Sequence, residues 1–258
     1  MFSWSFRRRF LYLLIIFFVT VPPIGFYIWK TQQKPPSCSD AVKNQNEHGV
    51  DCGGICKIAC FFEVEADPVI QWSRSYYVTK GIYNLVAYVQ NPNVNYISQP
   101  AHYIFRVYDD KNVLLGSREG SVALPTTKLF PIFEPTIDVG ERVPARVTFE
   151  FTEPLVWIEY GGERPELLVS DQLLTRTDEA PKLTAKITNK TLNTYKNVEV
   201  IAIIYDDEGN GFMASRTFID KLGDRGTSEV VFTWPETFTA SSSKVEIIPK
   251  LAISAYKQ

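Results

Sequence analysis

Hydrophobic and polar positions follow two different patterns along this chain of 258 residues. Residues 10–29 form an uninterrupted, uncharged run of 20 residues. As a helix, this run would be about 30 Å long, which is the thickness of the hydrocarbon core of a bilayer. From Phe61 onward, short stretches alternate between apolar and polar residues, as in Val147–Phe151, Leu183–Thr188 and Val245–Ile247. A period of two is typical of strands that bury one face. The pattern therefore predicts one membrane-spanning helix followed by an all-β body.

The charges beside the apolar run predict its orientation. Arg7–Arg9 directly precede the run, and basic residues favour the cytoplasmic side of a membrane. We therefore expect a single-pass protein of the cell membrane with an extracytoplasmic body. Its expected parts are a cytoplasmic tail at 1–9, an anchor in the lipid bilayer at 10–29 and a linker at 30–37.

Two alternatives to an uncleaved anchor would also export the body. A cleaved signal peptide fits the basic start, but Pro22–Phe26 offers no small residues at alternate positions for cleavage. A lipoprotein needs a cysteine close to the apolar run, and Cys38 lies too far downstream. The pattern favours the anchor and leaves cleavage open.

All four cysteines lie in one short stretch, at Cys38, Cys52, Cys56 and Cys60. An even, clustered set in an exported protein predicts two disulfides, for which three pairings are open. A zinc site is the alternative, but the spacing lacks the Cys-x-x-Cys knuckles of zinc ribbons. We therefore expect a disulfide-rich module at residues 38–60.

Oxygen-bearing side chains are dense between the first two cysteines. The candidate calcium ligands are Asp40, Asn44, Asn46 and Asp51, which correspond to positions 1, 5, 7 and 12 of an EF-hand loop. Val42 and Gln45 break that pattern, because a ligand and a glycine belong there. The alternative is a structural loop in which these side chains cap turns. No other cofactor is expected.

The stretch from Cys38 to Cys56 resembles a short cysteine module of bacterial surface proteins. The pattern of that module is C-x-D-G-x-x-N-x-x-E-x-x-V-D-C-G-G-x-C, and it often follows a membrane anchor. The departure in this chain is Ala41, where the pattern has glycine. The resemblance covers about 20 residues and implies a surface location.

The β body matches itself at an offset of nearly 100 residues. Leu85–Asn91 aligns with Leu183–Asn189 at an offset of 98, Val107–Asp110 with Ile204–Asp207 at 97, and Ser117–Arg118 with Ser215–Arg216 at 98. We attribute the difference between the offsets of 97 and 98 to a one-residue change in the length of the hairpin turn. A unit of this size is typical of an immunoglobulin-like sandwich. The predicted fold class is all-β, with two Ig-like antiparallel β-sandwiches in tandem at 61–160 and 161–258.

The repeated strand resembles the signature of the FxLYD family of exported domains. The first copy is Phe105–Asp109 and the second is Ala202–Asp206. The preceding strand of the family ends in Asn, as at Asn91 and Asn189. The resemblance implies an Ig-like fold and export, and it implies no enzymatic activity.

Charge and motifs narrow the function classes. Residues 1–34 carry five basic and no acidic residues, so the remainder has 22 basic and 29 acidic residues, a balance of −7. An acidic body is not expected to bind nucleic acid. Nucleophile, zinc-protease and phosphate-loop motifs are absent from the sequence. Asp109–Asp110 and Asp206–Asp207 precede hairpin turns, where Asp bonds to the backbone. We therefore expect a protein that is not an enzyme.

Two non-catalytic functions remain. The first is a surface spacer or protein-interaction module, and the second is a carbohydrate or cell-envelope binding protein that uses aromatic rings of the first domain. The expected partner is an envelope protein or a polysaccharide. Candidate binding residues are Trp72, Tyr76 and Tyr77, together with Phe130 and Phe133 of a proline-rich loop at 124–135. That loop is expected to be extended and could lie on an edge strand, and it either docks a partner or packs its rings on its own domain.

Overall fold

A computed structural model describes residues 4–32, 37–60, 66–126, 129–162 and 164–251 of the chain. The predicted linker positions 33–36, the predicted domain start at Phe61, the predicted loop positions 127–128 and the residues 252–258 lie outside the described residues. The chain divides into two compact units, Met1–Cys56 and Lys57–Gln258.

The first unit begins with helix α1 (Trp4–Gln32), which has 29 residues. Within the described residues, Arg8–Lys30 is the segment long and apolar enough to cross a membrane, and none of it is buried by other parts of the chain. The helix contains Pro22 and Pro23, which remove two backbone donors. Membrane helices tolerate such prolines better than soluble helices do. The predicted apolar helix is confirmed.

The second unit contains strands that form several antiparallel sheets. In chain order the strands are β1 (Val69–Thr79), β2 (Ile82–Gln90), β3 (Tyr96–Ser98), β4 (Ala101–Tyr108), β5 (Leu114–Val122), β6 (Leu129–Asp138), β7 (Arg146–Phe151), β8 (Trp157–Glu159), β9 (Leu167–Thr175), β10 (Lys182–Asn189), β11 (Tyr195–Tyr205), β12 (Gly211–Leu222), β13 (Thr227–Thr233) and β14 (Lys244–Lys250).

The first sandwich consists of two three-stranded sheets, with the orders β1-β2-β6 and β5-β4-β7. Their facing sides bury a core in which Leu85, Phe105 and Val107 are completely shielded from solvent. This arrangement follows from the alternation in the sequence, because every second side chain of a strand points to the same face. The short strands β3 and β8 pair with each other beside this sandwich.

The second sandwich also consists of two three-stranded sheets, with the orders β13-β10-β9 and β12-β11-β14. Its core includes Leu183, Ile187 and Val200, which are likewise completely shielded. The two sandwiches have the same strand arrangement. The middle strands β2 and β4 of the first sandwich take the places that β10 and β11 take in the second. The predicted all-β class with antiparallel sandwiches is confirmed.

The hairpins of the two sandwiches have the same length, which corrects one sequence-based expectation. Tyr108 ends β4 opposite Leu114, and Tyr205 ends β11 opposite Gly211, with a bulge at each tyrosine. Five residues separate the paired positions in both hairpins. The predicted one-residue change in the hairpin turn is therefore wrong.

The hairpin register also shows that Ser117–Arg118 and Ser215–Arg216 do not occupy equivalent positions. Phe105 lies opposite Arg118, whereas Ala202 lies opposite Ser215. Arg118 thus corresponds to Ser215 and not to Arg216. The change in length falls instead after the strand end that the two sandwiches share, because Asn91 bonds to the carbonyl five residues later and Asn189 to the carbonyl four residues later.

The segment predicted as a proline-rich loop is largely strand β6. It pairs with β2 and forms an edge of its sheet, where proline is tolerated because one side of the strand needs no donors. Phe130 enters the core of the first sandwich, and Phe133 packs on the opposite face of the strand. Both rings are buried. The segment is thus the edge strand on which it was expected to lie, and only the expectation of a loop with few ladder hydrogen bonds is corrected.

Candidate functional site

Two places in the molecule carry the residues that the sequence singles out. The first is the cysteine module of the first unit, and the second is a face of the second unit where the two sandwiches meet. We call this second region the joint and define it by the apolar cluster of Tyr76, Val86, Tyr88, Phe133, Ile201, Ile203 and Ala214.

All four cysteines are disulfide-bonded, as the sequence predicts. Cys38 is bonded to Cys56, and Cys52 and Cys60 are also in disulfide linkage. The chain has no free cysteine. A sulfur atom in a disulfide is not a thiolate, so the zinc alternative loses its ligands. Glu47 lies beside the Cys38–Cys56 bond, but these three residues do not form a thiolate metal site for the same reason.

Asp40 and Asp51 organise the start of the module through backbone hydrogen bonds. The two carboxylate oxygens of Asp51 accept the N–H groups of Asp40 and Ala41, at 2.9 and 2.8 Å. Asp40 accepts the N–H of Val42 at 2.9 Å and the side-chain amide of Asn44 at 3.0 Å. Every oxygen of these two carboxylates therefore has a donor within the module. This arrangement is a network of side-chain-capped turns.

Glu47 is a buried carboxylate that the sequence analysis did not select as a site residue. One of its oxygens accepts the backbone N–H groups of Asn44 and Asp51, at 3.1 and 3.3 Å. Its other oxygen lies 3.1 Å from the sulfur of Cys56, a contact without a hydrogen because the sulfur is in a disulfide. The glutamate at this position of the module pattern is the signal that could have identified it.

The other two candidate calcium ligands are placed differently. The side-chain oxygen of Asn44 is buried and has no hydrogen-bond partner, and Asn46 is exposed. The backbone of Asn46 has a φ of 66°, in the left-handed region. The four candidates therefore lie in one loop, but its carboxylates already bind backbone donors. Calcium binding stays a hypothesis.

Backbone conformation accounts for two positions of the module pattern. Gly54 has a φ of 60°, and a Cβ atom added there would lie 2.0 Å from the carbonyl oxygen of Asn46. Only glycine fits such a position. Ala41 also has a positive φ, 59°, at the position where the pattern has glycine.

The candidate aromatic residues of β1 are only partly accessible. Tyr76 is 1% exposed and belongs to the joint, where its hydroxyl has no hydrogen-bond partner. Trp72 stacks on Tyr88 with the ring planes 3° apart and the centroids at 5.0 Å. Tyr77 is half-buried and donates a hydrogen bond to Glu236, at 3.1 Å. Tyr76 and Tyr77 contact the second sandwich and Trp72 packs against the joint, so the three rings do not form a common solvent-facing platform.

One carboxylate of the second sandwich accepts hydrogen bonds from two tyrosines. Tyr88 of β2 donates to Glu246 Oε1 at 3.0 Å, and Tyr205 of β11 donates to Glu246 Oε2 at 2.7 Å. Burial, followed by the negative charge and hydrogen bond of Glu246, raises the pKa of both tyrosine hydroxyls above the ordinary value of 10.0. Both tyrosines are therefore neutral donors at physiological pH.

Arg216 of β12 extends the polar contacts of the joint. Its guanidinium donates to Glu199 Oε1 at 3.0 Å and to the carbonyl oxygen of Phe133 at 3.3 Å. The same group lies over the Phe133 ring at 5.2 Å and over the Phe218 ring at 5.1 Å. Lys250 forms a second ion pair with Glu199, at 3.2 Å. The arginine thus binds the first sandwich with its donors and its planar face.

The sequence analysis selected Tyr76 and Phe133 but missed the other residues that hold the joint together, because they come from strands distant in the chain. A signal was nevertheless present. Leu85–Val89 and Val200–Ile204 are continuous apolar runs in a body of otherwise alternating strands. Continuous runs are typical of strands buried on both faces.

The aspartates of the repeated motif are turn residues. Asp109 Oδ1 accepts the N–H groups of Lys111 and Val113, and Asp206 Oδ1 accepts those of Glu208 and Asn210. The hydrogen bond from the Val113 N–H is the main cause that lowers the pKa of Asp109. These contacts are the side-chain-to-backbone bonds that the sequence predicts for both positions.

Comparisons with known proteins add little to this picture. No protein-family model and no curated protein sequence matches the chain. Among solved structures, red sea bream transglutaminase is similar at 12% sequence identity and a TM-score of 0.26. The match covers 74% of this chain and 30% of the transglutaminase chain. At this TM-score the similarity carries no argument about fold or activity.

Proposed function

We propose that the chain is a single-pass, membrane-anchored extracytoplasmic protein that acts as a non-catalytic surface spacer or protein-interaction module. The observation that carries the proposal is helix α1, whose apolar side chains no other described part of the chain covers. Such a surface is stable in lipid and unfavourable in water. The oxidised cysteines and the β-sandwiches support an extracytoplasmic body. Arg7–Arg9 support a cytoplasmic N-terminus.

We also propose that the cysteine module belongs to the bacterial surface-protein type and that both sandwiches are Ig-like domains of the FxLYD type. The roles of Asp51 and Gly54 in the module support the first assignment. The equivalent turns of Asp109 and Asp206 and the equivalent buried side chains of Asn91 and Asn189 support the second. Neither assignment implies a catalytic activity.

Membrane fractionation tests the anchor. The full chain is expected in bacterial membranes after an alkaline carbonate wash, and protease added to spheroplasts should digest its body. Two arginines introduced by Leu14→Arg and Phe18→Arg should move the protein out of the membrane fraction, because each costs about 3 kcal/mol at the centre of a membrane helix.

Leu173→Arg is the matched control, because Leu173 is an exposed leucine of the β body. This variant should stay in the membrane. A wild-type protein found in the soluble fraction with an intact N-terminus would contradict the anchor. A body shortened to a start after the apolar run, identified by mass spectrometry, would instead establish a cleaved signal peptide.

The carbohydrate alternative has less support, because several of the aromatic side chains of the first domain that suggested it are buried. Tyr76, Tyr88 and Tyr103 are buried. Tyr77 and Tyr83 remain half-buried and meet edge to face at 5.6 Å. Sedimentation of the purified protein with cell-wall polysaccharide is the direct test. We expect the protein not to sediment with the polysaccharide. Binding by the wild type that Tyr83→Ala abolishes would support the carbohydrate alternative.

A further inference from the structure

The joint buries the outer faces of one sheet from each sandwich. Val86 on β2 and Ile201 and Ile203 on β11 are completely shielded from solvent, although none of them belongs to the core of its own sandwich. The outer face of an antiparallel sheet is usually polar and wet. These strands are apolar on both faces, so each sandwich needs the other to cover the second face.

Polar contacts restrict the joint to one arrangement. Hydrophobic burial is not directional, so an apolar surface alone would allow the sandwiches to slide or rotate. The hydrogen bond from Tyr88 to Glu246 and that from Arg216 to the carbonyl of Phe133 both cross the joint. The side-chain amide of Asn84 also crosses it and donates to the carbonyl oxygen of Ala214 at 3.2 Å. These three directional bonds involve β2 and β6 of the first sandwich and β12 and β14 of the second, and they fix the register of the two sheets.

The connection between the sandwiches is itself held in place. Strand β8 lies in this connection and pairs with β3 of the first sandwich, with Trp157 opposite Ser98. Trp157 is buried in the first core, whereas Ile158 and Tyr160 pack against the second core. Arg164 donates to the side chain of Asn95 at 2.9 Å. The described part of the connection therefore has contacts with both sandwiches and does not resemble a flexible linker.

We infer that the two sandwiches form one rigid segment that folds cooperatively through the joint, so that the body is a spacer of fixed geometry and not two hinged domains. The role as a spacer rests on the proposed function, whereas the rigidity of the segment follows from the contacts in the joint. Domain pairs that share a small polar interface move relative to each other by default, and a large apolar interface is the exception. The joint has the apolar, solvent-shielded centre of such an interface.

Calorimetry of the full chain in detergent tests the cooperativity. The wild-type body should unfold in a single transition, with a calorimetric enthalpy equal to the van't Hoff enthalpy. Ile203→Asp places a charge in the joint without touching either core, and it should split the unfolding into two transitions. Leu173→Asp is the control, because Leu173 is 60% exposed on β9, and it should keep one transition. Two transitions in the wild type, or one transition in Ile203→Asp, would overturn the inference.

A milder variant keeps the inference testable if Ile203→Asp does not fold. Glu246→Ala removes the acceptor of Tyr88 and Tyr205, and amide hydrogen exchange should then accelerate about tenfold in β2 and β11 together. Glu229→Ala on the exposed face of β13 is the control and should change neither strand. Acceleration confined to β11 would show two independent domains. Because a hinged body would still fractionate with membranes, this failure is distinct from failure of the anchor.

Discussion

Asp51 illustrates how single side chains stabilise this molecule, since its two oxygens bind two consecutive backbone N–H groups at the start of the cysteine module. Glu47, Asp109 and Asp206 act in the same way at other turns. Each carboxylate supplies a hydrogen-bond acceptor to backbone N–H groups that have no backbone acceptor in the turn. At the scale of the residue, the acidic side chains of these turns therefore act on the backbone of their own segment.

Ala41→Gly should stabilise the cysteine module. Ala41 has a φ of 59°, a conformation that costs alanine about 1 kcal/mol and glycine almost nothing. After the entropy of the more flexible unfolded chain is subtracted, we expect a gain of about 0.5 kcal/mol, or roughly twofold slower disulfide reduction by dithiothreitol. Ala180→Gly, at an exposed position without a positive φ, should give no gain. An equal effect of both substitutions would contradict the explanation.

Asp51→Ala should destabilise the module equally with calcium and with a chelator. The substitution leaves two N–H groups without an acceptor, which costs about 1–3 kcal/mol. Melting of the full chain, followed by disulfide reduction rates, measures the loss, and Asp67→Ala, an exposed carboxylate, is the control. A wild-type melting temperature that rises with calcium and loses this rise in Asp51→Ala would establish the calcium site instead.

At the scale of the element, a buried asparagine at the end of β2 and another at the end of β10 each connect three segments. The side-chain amide of Asn189 donates to the carbonyls of Asn193 and Gly223, at 2.6 and 2.8 Å, and its oxygen accepts the N–H of Thr191. Asn91 makes the corresponding bonds in the first sandwich. These hydrogen bonds of Asn189 connect the end of β10 to the turn that follows it and to the turn after β12.

Asn189→Ala should lower the free energy of unfolding by about 2–4 kcal/mol, because it leaves several buried backbone groups without partners. Leu192→Ala, at a 67% exposed position of the same turn, should change it by less than about 0.5 kcal/mol. Chemical denaturation measures both values. Asn189 also begins a glycosylation sequon, and its complete burial predicts an unmodified side chain in the folded protein. Near-equal stabilities of the two variants would refute the proposed role.

At the scale of the whole molecule, the two sandwiches depend on each other more than their separate cores require. Four tyrosines have the pKa that burial raises most. Tyr76 and Tyr88 belong to the joint and Tyr205 packs against it, whereas Tyr103 donates to Glu134 at 2.6 Å. Ionised tyrosine is unfavourable in such surroundings. The stability of the body is therefore linked to the protonation of these four groups.

Stability should decrease as the pH rises above 10. The folded-state pKa of each of the four tyrosines lies above the unfolded value of 10.0, so their contribution is complete below pH 10 and is lost progressively at higher pH. Absorbance at 295 nm should show these tyrosines ionising together with unfolding, after the exposed ones. Tyr88→Phe should reduce the late step by one tyrosine. Ionisation of all tyrosines in a still-folded protein would contradict this prediction.

The sequence by itself determined what depends on near neighbours in the chain. The apolar run of residues 10–29 predicts α1 because helix formation and hydrophobic length are local properties. The alternating segments predict strands for the same reason, and Asp109 and Asp206 predict capped turns because their partners lie two and four residues away. Clustered cysteines predict that all four are oxidised, since the compartment decides oxidation.

Only the tertiary structure decided which distant surfaces meet. The sequence shows that Leu85–Val89 is apolar on both faces of its strand, but nothing local shows that β11 and β12 cover the outer face. The same is true of Phe133. The proline-rich sequence around it predicts a loop, whereas pairing with β2 makes the segment a strand. The Cys38–Cys56 bond and the crossing contact of Tyr88 with Glu246 likewise depend on which segments lie side by side. Burial against a distant strand is a property of the packed chain, and the local pattern contains no record of the partner.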